Sequence, residues 1–362
     1  QPPKQQPFLI VIDSRKALDA GHMTAQWLSA DQVKAARVVV DPNEIDPSGS
    51  TSIDWYKVSP DGKMLAVSLS VGGSEIGDLV LYDVQTAQVV GEKIAGVNSG
   101  TAGGSVAWLP DSSGFYYTKH FKVVPGKSAD QSVYQHVYLH QLGTDESADR
   151  YELGKGFPQI AEIQLEMDET GGHLLASVQE GDGGEFAHYL RNRDGSWRQF
   201  SSFGDGTKQA VFGKHGELLV VTLAGAPRGR IVRVGIETLD VAAAPTLVPE
   251  NDDTIVTSGV AFWGETTVLP AEDRIYVVYQ LGGPSQLRAF DYSGKQLAAP
   301  NQLEISAIYG LIPIGDNAIL FGNTSYTEPD AYYRYDTTTE ATTKTAIASS
   351  SPISLAGARV MR

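Results

Sequence analysis

Apolar and polar positions alternate in short runs along most of the chain, and Gly, Pro, Asp, Asn or Ser bounds each run. Val, Ile, Tyr, Phe and Thr are frequent in these runs, and this composition with a period of two predicts β-strands. Helical periodicity is scarce, because the candidate from Ala30 to Arg37 is short and has no clear apolar stripe. The pattern therefore predicts an all-β protein.

A unit of strand, polar turn, strand, loop and strand recurs six times from Ser52 onward. One turn residue separates the first two strands of each unit, and these residues are Asp61, Asp111, Asp168, His215, Asp273 and Asp316, spaced 43 to 58 residues apart. Predicted third strands include Asp78 to Val84, His136 to Leu142, Arg230 to Ile236, Gln286 to Tyr292 and Ala331 to Thr337. Four-stranded units at this spacing are typical of β-propeller blades, which stack because one sheet cannot bury both of its faces alone.

The N-terminal stretch adds strands for one more blade, at Phe8 to Asp13, Thr24 to Ser29 and Arg37 to Pro42. We therefore predict one seven-bladed β-propeller domain over residues 1–362, with mostly four-stranded antiparallel blades. The predicted blades span residues 7–47, 52–97, 101–159, 160–206, 207–254, 255–303 and 304–349. The polar run from Thr337 to Lys344 predicts a hairpin.

Charge and composition exclude several classes of function. The formal net charge of -15 disfavours binding to nucleic acid and to anionic membranes. The chain has no cysteine, which excludes disulfides, thiolate metal sites and a cysteine nucleophile. Its apolar runs are too short to span a membrane. The sequence leaves the compartment open between cytoplasm and periplasm.

Self-contained catalytic or metal chemistry is not indicated. A nucleophile elbow, G-x-S-x-G, requires glycine two positions before and two positions after the serine, and no serine here has both glycines. Ser74 and Ser105 have the preceding glycine but not the following one. His136 and His140 lie on a predicted strand, where that spacing is too long for a shared metal. The Asp-Gly turn at Asp61 lacks the alternating ligands of a calcium loop and predicts a hairpin. We predict no cofactor and no metal.

Two glycine-rich loops, Ser70 to Asp78 and Gln179 to Phe186, follow second strands of their units. They are either flexible surface loops or walls of a binding face, since one rim of a propeller commonly carries function. The repeats alone do not decide between these interpretations.

Several segments resemble the prolyl oligopeptidase family of serine peptidases. They are Val38 to Glu75, Val106 to His120, Val137 to Leu153, Gly225 to Val234, Leu247 to Glu250 and Asn323 to Asp336. They follow the family's order and cover essentially the whole chain. The D-P-N, L-G-T and T-S-[FY]-x-x-P motifs together are specific, whereas each Asp-Gly turn alone is weak.

The resemblance implies the seven-bladed propeller of that family, in a ring not latched by a strand shared between first and last blades. In the family this propeller caps the cavity of an α/β-hydrolase domain, admits short peptides that are cut after proline, and excludes large folded proteins. We expect residues 350–362 to begin a linker to that hydrolase domain, and the chain alone to be inactive. The implied partners are short proline-containing peptides and the hydrolase domain of the same full-length protein.

The resemblance also implies residues that line the peptide cavity. Glu75 matches an acidic residue in the loop after a second strand, and Gln179 falls where the family has an arginine. Gly103, Glu162 and Asp182 fall on apolar positions of the family's outer substrate pocket. These departures put a family-like peptide preference in doubt, and the two acids predict a preference for a basic group on the peptide.

Two alternatives remain beside a gating propeller. A stand-alone propeller could bind a peptide or protein partner without catalysis. A propeller enzyme could use polar residues at its axis to hold a metal, but the predicted first strands are mostly apolar or small. The residues flanking this chain would distinguish a gating propeller from a stand-alone one.

Overall fold

The computed structural model describes residues 5–12, 36–100, 102–120, 134–257, 266–315 and 317–349, together with 355, 357–358 and 360–361. These residues form seven β-sheets and almost no helix, which confirms the all-β prediction. Two compact units result: residues 38–205 with the N-terminal strand form one, and most of the chain from residue 206 onward forms the other.

The first unit contains a two-stranded sheet, one short helix and three four-stranded antiparallel sheets. Strands β1 (Leu9–Val11) and β2 (Arg37–Val40) form the small sheet, and helix α1 (Pro42–Ile45) follows. The larger sheets are β3 (Thr51–Val58), β4 (Met64–Val71), β5 (Gly77–Asp83), β6 (Val89–Asn98); β7 (Val106–Trp108), β8 (Gly114–Lys119), β9 (His136–Gln141), β10 (Arg150–Leu153); and β11 (Ala161–Met167), β12 (Leu174–Glu180), β13 (Phe186–Arg191), β14 (Trp197–Ser201).

The second unit contains three antiparallel sheets. They are β15 (Thr207–Phe212), β16 (Glu217–Thr222), β17 (Arg230–Gly235), β18 (Thr246–Val248); β19 (Thr254–Ile255), β20 (Val268–Pro270), β21 (Ile275–Gln280), β22 (Ser285–Phe290), β23 (Gln296–Leu297); and β24 (Ala307–Ile314), β25 (Ala318–Thr324), β26 (Ala331–Asp336), β27 (Ala341–Ala348). Every sheet consists of strands consecutive in sequence, so within the described residues no sheet combines strands from the two ends of the chain, as predicted.

The predicted polar turns join the first two strands of their sheets. At the first, Asp61 Oδ1 accepts hydrogen bonds from Ser59 Oγ (2.7 Å) and from the backbone N–H of Lys63 (3.1 Å). These bonds, the Ser59 one above all, lower the pKa of Asp61 to about 2. Gly62 follows with a positive φ of 72°, which glycine adopts without steric cost. Asp111, Asp168, His215 and Asp273 occupy equivalent turns, while Asp316 lies outside the described residues.

Apolar side chains fill the space between consecutive sheets within each unit. In the first unit, one cluster contains Val97, Val106 and Phe115, and another contains Tyr116, Ile163 and Val178. Two further clusters occupy the second unit in the same way. Each sheet thus buries apolar surface against its neighbour, which is the stabilisation that a single blade lacks.

Two local features differ from the sequence expectation. Helix α1 begins at Pro42, within the D-P-N segment, where the sequence predicted the end of a strand. The Asp41 side chain caps this helix by accepting a hydrogen bond from the backbone N–H of Asn43, and proline is favoured in a first helical turn. In the second unit, β19 and β20 both pair with the same edge of β21, so the first strand of that sheet is split in two. The predicted strand from Thr24 to Ser29 lies outside the described residues. Most of the weak helix candidate from Ala30 to Arg37 also lies outside them.

No helix in the described part of the chain has the length and apolar character that crossing a membrane requires.

Candidate functional site

The five residues predicted to line a cavity all lie in the first unit and at corresponding ends of its sheets. Glu75 lies between β4 and β5, and Asp182 lies between β12 and β13. Gly103 precedes β7, Glu162 is the second residue of β11, and Gln179 is the last but one residue of β12. Because neighbouring strands are antiparallel, the start of a first strand and the end of a second strand lie at the same end of a sheet.

Glu162 and Gln179 are paired directly across β11 and β12. Their side chains are buried, with exposed fractions of 1% and 5%. Among the residues that the structure describes, neither carboxylate oxygen of Glu162 has a hydrogen-bond partner, and neither has Gln179 Oε1. Gln179 Nε2 donates to the carbonyl oxygen of Gly181, 2.7 Å away. The pair therefore presents three buried acceptor oxygens without a donor.

Asp182 lies on an exposed one-turn 3₁₀ segment, Gly181–Gly183, directly after β12. Burial raises the pKa of Glu162 to about 7, and the charge of Asp182 adds to this effect. Two carboxylates at one site oppose each other's ionisation when no cation lies between them. This part of the site thus combines two acidic groups that repel each other.

Gly103 is buried and connects to Glu162 through Gln135. The backbone groups of Gly103 and Ser99 bond to each other at 2.8 and 3.0 Å, closing a short loop. Gln135 Nε2 lies 3.3 Å from the carbonyl oxygen of Gly103 and 3.1 Å from Nε2 of His120. At its other end, Gln135 Oε1 accepts a hydrogen bond of 2.7 Å from the backbone N–H of Ile163, the residue after Glu162. Sequence reasoning missed this connection.

Glu75 is exposed and has a positive φ of 55°, a conformation that is uncommon outside glycine and asparagine. Its carbonyl oxygen accepts a hydrogen bond from Asn98 Nδ2 (2.9 Å). Its carboxylate lies over Gly100, where an added Cβ would clash with Oε2. Gly100 belongs to the loop that Ser99 and Gly103 close, so Glu75 lies beside the Gly103 part of the site.

Asp54, on β3, is a further acidic residue at this end that sequence reasoning missed. It accepts hydrogen bonds from Ser70 Oγ (2.6 Å) and Ser68 Oγ (2.7 Å). Burial raises its pKa, the two serines oppose the shift, and Glu75 adds to it. The register of β3 against β4 shifts between Ile53 and Trp55, which turns Asp54 onto this face. A carboxylate inside an otherwise alternating strand was the signal in the sequence.

The structure therefore brings the predicted residues into one acidic region with two parts. Glu162, Gln179 and Asp182 form one part, and Glu75 with Asp54 forms the other, with the Ser99–Gly103 loop and Gln135 between them. None of the four carboxylates in this region forms an ion pair with any residue that the structure describes. In the same residues, no three His, Asp or Glu side chains are grouped closely enough to hold a metal ion.

His136 and His140 lie on β9, as predicted, and contact different partners. His140 Nδ1 lies 2.7 Å from Oδ1 of Asp149, and Oδ2 of the same carboxylate accepts a hydrogen bond of 2.8 Å from the hydroxyl of Tyr117. The ring of His136 packs edge-on against Tyr151. The two imidazoles are thus part of the packing of one sheet.

Comparison with known proteins gives a consistent set of relatives. Residues 4–347 match the family of prolyl oligopeptidase N-terminal β-propeller domains. The prolyl endopeptidase of Elizabethkingia meningoseptica is 24% identical over 309 residues, covering 84% of this chain and 40% of the relative. Prolyl oligopeptidase A of Amanita bisporigera is 21% identical over 279 residues, covering 71% of this chain and 35% of the relative. The chain thus spans 35 to 40% of the length of these two relatives.

Solved structures agree on the fold. One, from a structural and mechanistic study of two prolyl endopeptidases, superposes with a TM-score of 0.76 at 23% identity, over 88% of this chain and 45% of that chain. Another is prolyl oligopeptidase B of Galerina marginata bound to a 35mer hydrolysis and macrocyclization substrate, with a TM-score of 0.73 at 16% identity, over 89% of this chain and 46% of that chain. At these identities the likeness establishes the propeller fold alone.

Proposed function

Because the chain belongs to the prolyl oligopeptidase family, as its N-terminal β-propeller domain, we propose that its seven blades form one domain that covers the catalytic cavity of a serine peptidase. In this proposal, the peptidase cuts short peptides after proline, and the propeller keeps folded proteins out. A hydrolase domain of the same full-length protein supplies the reacting groups. The chain itself contributes substrate selection and binding.

The observation that carries this proposal is the acidic region of the first unit. Five positions chosen by resemblance lie at corresponding ends of three different sheets, and Gln135 and the Ser99–Gly103 loop connect them. A packing role would favour apolar side chains at such sites, whereas this region keeps buried polar groups without partners. Buried polar groups of this kind are typical of sites that receive a polar ligand.

The catalytic part of the proposal assigns the chemistry outside this chain. No serine here has glycine at both positions of a nucleophile elbow. Acyl transfer by a serine also needs a base and oxyanion donors close to the nucleophile. The propeller's part is to hold the substrate and to exclude bulky competitors, so that only an extended, short chain reaches the nucleophile.

The test uses the product of the complete open reading frame. It is incubated with a short proline-containing peptide and with a folded protein that carries the same sequence in a structured segment. We expect cleavage on the carboxyl side of proline in the peptide alone, and no cleavage of either substrate by the 362-residue chain. Equal cleavage of peptide and folded protein contradicts the size filter. A frame that encodes no hydrolase, or a product that leaves the peptide intact, contradicts the peptidase role and favours a stand-alone binding propeller.

A further inference from the structure

We propose that Glu162, Gln179 and Asp182 form a receptor for a cationic group, the guanidinium or ammonium of a basic side chain in the bound peptide. The identity of the ligand as a peptide rests on the proposed function, while the preference for a cation rests on the geometry of these three residues.

The arrangement of hydrogen-bonding atoms supports a donor-rich ligand. The two oxygens of Glu162 and Oε1 of Gln179 are buried acceptors on directly paired residues, and none accepts a hydrogen bond from the described part of the chain. The donor of the Gln179 side chain itself, Nε2, is already bonded to the carbonyl of Gly181. Guanidinium and ammonium groups offer only donors, so they complement such a set, whereas a neutral amide or hydroxyl also brings an acceptor of its own.

The charge balance points to a positive ligand. An ionised carboxylate that is almost fully buried is costly unless it is paired or hydrogen-bonded. Glu162 has neither among the described residues, and Asp182, whose charge adds to the rise in its pKa, has the same sign. A cation bound at Glu162 would pair with its carboxylate and offset the repulsion from Asp182.

The turn that carries Asp182 is open to solvent. Asp182 is exposed on the 3₁₀ turn, and Glu162 is buried beneath the ends of β11 and β12. An added Cβ at Gly183 or Gly184 would meet no atom within 4 Å, so the turn leaves open space on that side. Asp182 can therefore attract a cation at the entrance, and Glu162 can bind it in the interior.

Of the two cations, guanidinium fits the acceptors more completely. A carboxylate accepts two parallel N–H bonds from a guanidinium, and a third N–H remains for a further oxygen. Glu162 and Gln179 together supply this set of three. An ammonium group also donates three bonds, but without the planar fork that matches a carboxylate.

The test measures binding to the 362-residue chain by titration calorimetry. The ligands are two N-acetylated proline peptides that differ only in arginine against citrulline, which has the same shape without the charge. A matched pair with lysine against acetyl-lysine compares the cations. A citrulline peptide with a free N-terminus tests whether the site binds the ammonium of the peptide terminus in place of a basic side chain. We expect the arginine peptide to bind about tenfold or more tightly than its citrulline partner, the usual range for hydrogen bonds to a buried charge.

Three variants locate the effect. Glu162→Gln should remove most of the discrimination between arginine and citrulline, and Asp182→Asn, at an exposed position, should weaken it by a smaller factor. Glu92→Gln removes the same charge from the exposed part of β6 and should change nothing. Equal affinity for arginine and citrulline in the wild type overturns the receptor, as does discrimination that persists in Glu162→Gln.

Hydrolysis by the complete gene product separates this inference from the proposed function. If the arginine and citrulline peptides are cleaved with the same kcat/KM, the proposed peptidase function is supported and the cation receptor is wrong. If neither peptide is cleaved but arginine is still bound selectively, the receptor stands and the proposed peptidase function is wrong.

Discussion

Gln135 accepts a hydrogen bond of 2.7 Å from the backbone N–H of Ile163 and so connects the sheet of β9 to the first strand of the next sheet. Both residues are buried, and the other end of the Gln135 amide lies against Gly103 and His120. One side chain thus links two parts of the candidate site that are far apart in sequence. This arrangement makes Gln135 a positioning residue for Glu162.

Replacing Gln135 with alanine should destabilise the protein. The backbone N–H of Ile163 would stay buried without a partner, a loss of about 1–3 kcal/mol in the free energy of unfolding. Urea denaturation measures it. The control is Gln141→Ala, which truncates the same side chain at the exposed end of β9 and should change stability by about 0.5 kcal/mol or less. Equal effects of the two substitutions would show that the hydrogen bond to Ile163 contributes nothing.

Glu162 should make the protein less stable as pH rises. Its pKa in the folded state is about 7, against 4.5 for an ordinary glutamate, so the unfolded chain releases this proton first. The free energy of unfolding therefore falls between about pH 4.5 and 7, and the loss is complete above that range. Glu162→Gln should be more stable than the wild type at pH 8 by about 1–3 kcal/mol, because its neutral amide removes the unpaired buried charge.

The informative quantity for Glu162 is the difference between the denaturation curves of variant and wild type across pH. It should be small at pH 4 and grow through neutrality. A difference that stays constant with pH would mean that Glu162 ionises normally in the folded protein.

His188 should make the protein less stable as pH falls, which is the opposite of the effect of Glu162. The side chain is fully buried, its Nδ1 lies 2.6 Å from Ser201 Oγ, and its Nε2 has no partner within the residues that the structure describes. Burial lowers its pKa to about 4, so the unfolded chain binds a proton first as pH falls from 6.5. Stability contributed by the neutral ring is therefore present above pH 6.5 and is lost as pH falls towards 4.

The variant His188→Asn keeps a polar group near Ser201 but does not titrate. Its free energy of unfolding should depend less on pH between 6.5 and 4 than that of the wild type. An NMR titration of the His188 ring in the native protein gives a direct check. A ring that protonates near pH 6.5 without loss of structure would contradict the prediction.

Glu75 should combine backbone strain with electrostatic repulsion. Its positive φ costs about 1 kcal/mol for most residues but less for asparagine, and its charge raises the pKa of Asp54. Glu75→Asn should therefore stabilise the protein by up to about 1 kcal/mol and lower the pKa of Asp54. Glu75→Gln should lower that pKa without the backbone gain. Carbon-detected NMR titration of Asp54 and urea denaturation separate the two contributions, and equal stability of the two variants would exclude the backbone effect.

Much of the fold could be predicted because strands and turns depend on local chemistry. The alternation around Asp61 and Asp111, and the hydrogen bonds that such residues make to their own turn, involve neighbours in sequence. The split first strand of the sheet that contains β21 could not be predicted in this way. It depends on which segments reach the same edge of β21, and β19 and β20 reach that edge from positions apart in the sequence.

The candidate site shows the same division. A family resemblance selected Glu75, Gly103, Glu162, Gln179 and Asp182 one by one, but nothing in their spacing indicates that Glu162 and Gln179 are directly paired or that their oxygens have no donors. Asp54 and Gln135 were missed because their roles come from a register shift and from a contact with another sheet.

The sequence by itself determined the β-strands, the polar turns, the repeat and hence the propeller class, because each follows from the periodicity and turn chemistry of a short segment. Only the tertiary structure decided which polar groups are buried, which are paired and which carboxylates repel each other. Those properties depend on desolvation and on distances between sheets, and residues remote in sequence set both. The ionisation of Glu162, and with it the proposed affinity for a cation, therefore belongs to the folded protein alone.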